Sequence, residues 1–212
     1  MEIQSFVFSP LYENTYVLWD DTKNALIVDP GCYEKYEFEE LISFIDQSNL
    51  NIKAIVNTHC HIDHVLGNAF LKRHFNIPLL IPVGEVEVLE AVKAYAPNWG
   101  ISNYDPADPD HLIENEGSIS VGNTDLKVIP APGHSPGHQV FYSEENKMLI
   151  GGDVLFRESI GRTDLPGGDH NTLLKSIKTN VFSLPEDTIV YPGHGPTTTI
   201  GYEKTNNPFV SA

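Results

Sequence analysis

The chain has 212 residues, 41% of them hydrophobic, and a formal net charge of −16. The apolar share is that of an ordinary globular core, the length suits one sizeable domain or two small ones, and no apolar run approaches the roughly 18–20 residues that span a bilayer. So acidic a balance works against binding nucleic-acid phosphates, which takes clustered Lys and Arg, and gives no support for docking on anionic membranes.

Ile3, Phe6 and Phe8 lead into TYVLW (residues 15–19), a polar DDTKN turn and ALIV (residues 25–28), a pattern of strands joined by turns. Asp29-Pro30-Gly31 stops the third strand. Residues 34–48 place Tyr36, Phe38, Leu41, Ile42 and Ile45 at helical spacing, and residues 52–56 follow as a short apolar strand. Residues 63–75 predict a helix that buries Val65, Leu66, Ala69, Phe70 and Leu71. After an apolar stretch at 77–80, residues 85–95 predict a further helix. Residues 97–110, rich in Pro, Asp and Asn, predict an irregular loop over one end of the fold. Short strands are expected at 118–121, 126–130, 139–143 and 148–150, then a helix at 172–182 with Asp169 as its N-cap, then a strand at 188–191.

No repeat, low-complexity tract or clear linker interrupts the chain, so residues 1–212 are expected to form one domain. Strands cluster in both halves with helices between them. That predicts an α/β (α+β) fold of two sheets packed on each other with helices outside.

The histidines are placed unevenly. THCHIDH puts His59, His61, Asp63 and His64 directly after the strand at 52–56. His134 follows the strand at 126–130 in APGHSPGH, Asp153 follows 148–150 in GGD, and His194 follows 188–191 in YPGHG. Four strand ends thus deliver imidazole or carboxylate into loops, where ligand sites are commonly built. In an extended segment, residues two apart point the same way, so His59 and His61 can grip one metal ion. As the chain turns into a helix, Asp63 and His64 can grip a second, and a carboxylate such as Asp153 can bridge the two. This donor set suits zinc, iron or manganese. Two ions about 3.5–4 Å apart activate water near neutral pH. Uncompensated, so many titratable groups in one place would be costly. His74, His111 and His170 lack liganding neighbours and read as ordinary hydrogen-bonding residues.

Asp29-Pro30-Gly31, THCHIDH, PGHSPGH, GGD and PGHG, in this order and spacing, resemble the metallo-β-lactamase superfamily over nearly the whole chain. The resemblance implies a four-layer αββα sandwich with a dinuclear site at one edge of the two sheets. It implies that His59, His61 and His134 bind one metal, that Asp63, His64 and His194 bind the other, and that Asp153 bridges them. Asp29 and His138 would support the ligands. Residue 60 lies between two ligand histidines, so the Cys60 side chain is expected to point away from the metals as a buried thiol. Cys32 lies beside the Asp29-Pro30-Gly31 turn, with no role assigned.

Within the superfamily, GRTDLPGGD (residues 161–169) and the ending GHGPTTTIGYEKTNNPF are similar to the glyoxalase II-like hydrolases, above all their compact bacterial members. Asn14 and Tyr16 fit the N-terminal strand of that group. Exported β-lactamases, many with cysteine at the position of Asp153, and nucleases with basic surfaces fit less well. The implied activity is hydrolysis of a thioester of the S-lactoylglutathione type by two divalent ions, Zn2+ first and Fe or Mn as alternatives. Asp63 would be a ligand that also orients the attacking water or takes its proton. Arg162 either pairs with a substrate carboxylate or forms a salt bridge to Asp164.

One departure bears on the substrate. Only 18 residues follow His194, where larger glyoxalase II enzymes continue into a helical domain with basic glutathione-binding residues. The alternatives are a persulfide dioxygenase with one iron at His59, His134 and Asp153, a lactonase or other ester hydrolase, and a non-catalytic metal-binding protein. GHG after Pro192, rather than a PAHD-like ending, favours the hydrolase. The expected partner is a small-molecule thioester or ester, with no nucleic acid and no membrane. Two cysteines cannot build a disulfide framework, and the N-terminus has no basic segment followed by a long apolar one, so the expected location is cytoplasmic.

Overall fold

The computed structural model describes residues 1–210. The first sheet runs in sequence order: β1 (Glu2–Phe8), β2 (Glu13–Trp19), β3 (Asn24–Val28), β4 (Asn51–Val56), β5 (Leu79–Pro82) and β6 (His111–Ile113). Helices α1 (Lys35–Gln47), α2 (Ile62–Val65), α3 (Asn68–Phe75) and α4 (Val86–Tyr95) lie between its strands in the chain. β1, β2 and β3 pair antiparallel, and β3 to β6 pair parallel.

The second sheet contains β7 (Ser118–Val121), β8 (Thr124–Pro130), β9 (Gln139–Ser143), β10 (Met148–Gly152), β13 (Ile189–Pro192) and β14 (Thr198–Thr199), in the order β14-β13-β10-β9-β8-β7. Between β10 and β13 the chain makes a small hairpin, β11 (Leu155–Phe156) with β12 (Ser159–Ile160), and helix α5 (His170–Ser176). Helix α6 (Ile200–Asn206) follows β14.

The layering follows from strand periodicity. Successive side chains of a strand face opposite ways, and the runs at 25–28 in β3 and 148–150 in β10 are apolar at every position because both faces are covered. In β3, Ala25 and Ile27 join the cluster with Leu41 and Ile45 of α1, Leu71 of α3 and Leu89 and Val92 of α4. Leu26 and Val28 point the other way and meet Val128, Phe141, Met148 and Ile150 between the sheets. In β10, Leu149 faces away from that inner layer toward Leu173, Ile177, Val181 and Ile200. The result is the expected αββα sandwich.

Several elements depart from expectation. The helix expected over 63–75 is two helices. Gly67 separates them: its N–H donates to the Pro30 carbonyl at 2.7 Å, and a Cβ there would collide with the Cys32 sulfur. The helix expected over 172–182 begins at His170, with Asp169 capping Thr172 N–H at 2.7 Å as expected, and ends in a π turn, Ile177–Val181. The loop after α4 holds a short 3-10 turn, Ala96–Trp99, and ends in β6. β6, the β11–β12 hairpin, β14 and α6 have no counterpart in the sequence reading.

The parallel pairs β3–β4 and β10–β13 have one consequence for function. Their C-terminal ends emerge at one edge of the sandwich, which is where open α/β sheets place ligands. No helix among the described residues is long and apolar enough to cross a membrane.

Candidate metal centre

The structure brings all seven expected ligands together. His59, His61 and His134 offer nitrogens that lie within 4.8 Å of one another, and Asp63, His64 and His194 offer a second set equally close. The Asp153 carboxylate stands between them. Its Oδ2 is 3.5 Å from His134 Nε2 and 3.6 Å from His194 Nε2, and its Oδ1 is 3.5 Å from His64 Nε2. His61 Nδ1 and His134 Nε2 lie 2.8 Å apart, and Asp63 Oδ2 is 3.1 Å from His194 Nε2.

The proteins' own hydrogen bonds set the tautomers. Thr58 donates its hydroxyl to Asp29 Oδ2 at 2.6 Å, so its oxygen is left to accept from His59 Nδ1 at 3.1 Å. His134 Nδ1 donates to the Arg162 carbonyl at 2.8 Å, and His194 Nδ1 to the Tyr12 carbonyl at 3.1 Å. His59 Nε2 and His134 Nε2 are thereby left unprotonated and facing the centre, the arrangement typical of metal-bound histidine, while His194 Nε2 faces Asp63 Oδ2. Asp29 Oδ2 also lies 3.1 Å from His64 Nδ1, and Glu13 Oε1 lies 3.9 Å from the same atom.

Whether a cation fits is decided by the unpaired atoms. His59 Nε2, His64 Nε2 and Asp153 Oδ1 are buried with no hydrogen-bond partner. Orphaned buried polar atoms are rare because each costs about 1–3 kcal/mol. Here they converge with oxygen and nitrogen donors of the kind divalent ions take. A third possible grouping, Asp29 with His59 and His64, is weaker, since Asp29 already accepts both the amide and the hydroxyl of Thr58.

The electrostatics differ between the two sets. Burial, followed by the nearby His134, pushes His61 down to about 3. Burial likewise lowers His59 and His134, so this set is kept as neutral imidazole. For His64, burial opposes protonation, but the carboxylates of Asp153 and Asp63 outweigh it and hold the imidazole above its ordinary value. His194 is raised too: its hydrogen bond to Asp63 and the charge of Asp153 overcome its burial. Asp153 lies well below the usual carboxylate range, because the surrounding imidazoles outweigh its burial.

Backbone contacts lock the loops together. Asn14 N–H donates to the Gly193 carbonyl at 2.7 Å, and its side chain donates to the carbonyls of Pro192 and Gly195 at 2.9 and 2.8 Å. Tyr16 Oη donates to the Pro192 carbonyl at 2.6 Å. The two residues singled out in the N-terminal strand therefore fix the loop that carries His194. Gly193 is required by space, since a Cβ would run into Asp153 Oδ1 and His64. Gly152 has φ +46°, and a Cβ there would meet Thr58 and His138.

The supporting residues sort out as follows. His138 is fully buried, stacks on His59 with ring centroids 4.7 Å apart, and accepts the Asp153 N–H on Nε2 at 3.0 Å. Cys60 and Cys32 both lie in the core between the first sheet and its helices. Cys60 therefore points away from the centre, as expected. Arg162 makes a two-pronged pair with Asp164, Nε to Oδ1 at 2.7 Å and Nη2 to Oδ2 at 2.9 Å, and also lines the cavity over the centre.

Sequence reasoning missed two buried carboxylates. Glu13 stands behind His64. Glu85, taken only as the start of a helix, accepts Cys60 N–H at 2.8 Å, Gly137 N–H at 2.7 Å and the Ser135 hydroxyl at 2.6 Å. It ties the His59–His61 loop to the His134 loop. Nothing in local pattern distinguishes either acid from a solvated one.

Over the centre opens a cavity of about 890 Å³. His61, Asp63, His134, Asp153 and His194 form its floor, and Val88, Ala91 and Tyr95 of α4, with Trp99, Phe156 and Leu165, form much of its wall.

An αββα sandwich with a histidine–aspartate cluster at one sheet edge, beneath an open cavity, is a site built to hold divalent metal ions. The chain belongs to the metallo-beta-lactamase superfamily, whose family description matches residues 9–194. Among curated proteins it is 39% identical to "Hydroxyacylglutathione hydrolase GloC" of Haemophilus influenzae, with 100% of this chain and 99% of the relative covered. It is 36% identical to "Probable metallo-hydrolase YqgX" of Bacillus subtilis, over 95% of this chain and 94% of the relative. Among solved structures, BLEG-1, described as a B3 metallo-beta-lactamase, superposes with a TM-score of 0.91 at 40% identity, with both chains covered in full. TTHA1623, solved in a di-iron-bound form, superposes with a TM-score of 0.88 at 37% identity, covering 98% of this chain and all of the other.

Proposed function

We propose that this protein is a dinuclear metallo-hydrolase that cleaves small-molecule thioesters by chemistry of the glyoxalase II type. One observation carries the reading: the Asp153 carboxylate lies within 3.6 Å of nitrogens from both histidine sets. The 39% identity to a hydroxyacylglutathione hydrolase along the full chain supports the thioester.

His59, His61 and His134 would hold one ion, Asp63, His64 and His194 the other, and Asp153 would contact both. Bound there, two divalent ions would supply an activated water and polarise the substrate carbonyl. Asp63 presents Oδ2 to the cavity floor beside His194, placed to take the proton released as water adds to the carbonyl. Burial works against charge on Asp63, but His64 and the His194 hydrogen bond outweigh it and keep the carboxylate ionised. The backbone pins on the His194 loop hold that imidazole in place through the reaction.

The test joins metal content to turnover. The protein, expressed with zinc and iron both supplied, is expected to hold close to two ions per chain and to release thiol from S-lactoylglutathione and from simple acyl thioesters. Asp153→Ala is expected to lose metal and to lower the rate by orders of magnitude. Near one iron per chain with oxygen uptake on glutathione persulfide would replace this reading with sulfur oxidation. A cephalosporin serves as the comparison substrate, given the likeness to BLEG-1; its preference over every thioester would replace thioester with amide hydrolysis.

A further inference from the structure

The cavity over the centre has a chemical character of its own. Its wall is built from Val88, Ala91 and Tyr95 on one face of α4, from Trp99 just beyond that helix, and from Phe156 and Leu165 across the opening. Trp99 is 40% exposed, although aromatic rings of this size usually find cover. At about 890 Å³ the space lies within the roughly 300–1,000 Å³ of cavities that enclose most of a drug-sized ligand.

Charge points the same way. Among the described residues lining the cavity, Arg162 is the one Lys or Arg, and Asp164 already occupies the Nε–Nη2 edge of its guanidinium. Glu87 adds a negative charge to the wall, and the chain as a whole carries −16. A glutathione thioester brings two carboxylates, which are held elsewhere by unpaired cations in bidentate geometry. Among its described residues this wall offers one guanidinium, half engaged by Asp164, for two carboxylates. An apolar chain would instead cover Trp99, Phe156 and Leu165 and bury no unpaired charge.

We propose that this cavity binds a hydrophobic acyl chain, so that the preferred substrates are thioesters of medium-length or aryl-bearing acids rather than of lactate on glutathione. The proposal rests on the hydrolase reading above and names the substrate class for that same site. The chain would lie along α4, with its carbonyl over the metal cluster and its thiol portion toward the Arg162 side of the opening.

The test uses the metal-loaded protein and straight-chain N-acetylcysteamine thioesters from acetyl to octanoyl, with S-lactoylglutathione alongside. We expect kcat/KM to rise about fourfold per added methylene until the cavity is filled, and to exceed that for S-lactoylglutathione by the octanoyl member. Ala91→Asp is expected to flatten the series. A flat or falling series, or S-lactoylglutathione as the better substrate, overturns the proposal while leaving hydrolysis intact. A second measurement separates the two readings: binding of the uncleavable thioethers S-butyl- and S-octyl-N-acetylcysteamine, followed by calorimetry. If octyl binds more tightly and no thioester is cleaved, the apolar site stands and the hydrolase reading falls. If neither thioether binds and nothing is cleaved, both fall.

Discussion

Asp29 Oδ2 lies 3.1 Å from His64 Nδ1, while the same carboxylate accepts the amide and the hydroxyl of Thr58. One acid thus orients two imidazoles, His64 directly and His59 through the Thr58 hydroxyl. Asp29 has φ +48°, a conformation that Asp and Asn tolerate better than most residues. Asp29→Asn is therefore expected to fold. Its amide would turn donors toward groups that need acceptors, and metal affinity is expected to fall about 10- to 100-fold. Chelator competition followed by elemental analysis checks this; unchanged affinity would remove Asp29 from the centre.

Glu85 predicts a loss of stability. Truncation to Ala strips acceptors from the amides of Cys60 and Gly137 and from the Ser135 hydroxyl, all within one buried pocket of the fold. An unpaired buried donor costs about 1–3 kcal/mol, so a combined loss of about 3 kcal/mol is expected. For a chain of this size each kcal/mol moves the midpoint by about 2–4 °C. Thermal unfolding of Glu85→Ala beside Glu85→Gln, which keeps one acceptor oxygen, measures it, with the Gln variant the less affected.

His138 predicts a pH dependence. Burial, then the neighbouring His134, holds this imidazole well below its ordinary 6.5, and its Nε2 must stay unprotonated to accept the Asp153 amide. Below pH 6.5 the unfolded chain takes up a proton here that the folded chain refuses. Stability from this group is therefore full above that pH and declines as pH falls, by at most about 1.4 kcal/mol per pH unit. Denaturant titrations of metal-free protein from pH 7 to pH 5 are expected to show a shallower decline in His138→Gln than in the parent. Equal slopes would contradict it.

Both cysteines are expected to be silent. Cys32 and Cys60 are fully buried, and burial pushes both thiols well above their ordinary value. A disulfide-exchange reagent at pH 8 is expected to find no reactive thiol in the folded protein and two after denaturation. Rapid labelling of the native protein would show that one of the two faces solvent.

The layered fold and the clustering of the seven histidine and aspartate side chains were legible because they rest on strong local signals. Strand ends such as Val56 and Pro130 stand a few residues before His59 and His134, and the unbroken apolar run at residues 25–28 marks a strand covered on both faces. The rest depended on contacts far apart in sequence. The break at Gly67 exists because Pro30 and Cys32 pack against it, while the apolar period runs through it undisturbed. β6 is three residues at a sheet edge, too short to show a period. Glu13 and Glu85 look like surface acids until partners 51 and 25 residues away bury them. Arg162 could not be assigned from sequence, since Asp164 two positions on is as good a partner as any ligand; the structure gives it that partner.

Every strand of the first sheet precedes every strand of the second in the chain. During synthesis, the inner face that carries Leu18, Leu26 and Val56 therefore emerges before Val128, Phe141 and Ile150 exist to cover it. His194 emerges after the other six side chains of the cluster. The nascent protein passes through a long interval with a sticky, half-built sandwich and no complete place for an ion, the stage at which chains aggregate or recruit chaperones. A ribosome-bound chain stalled before residue 118 is expected to be cut by protease throughout, and protection is expected to arrive in one step once the second sheet has cleared the exit tunnel.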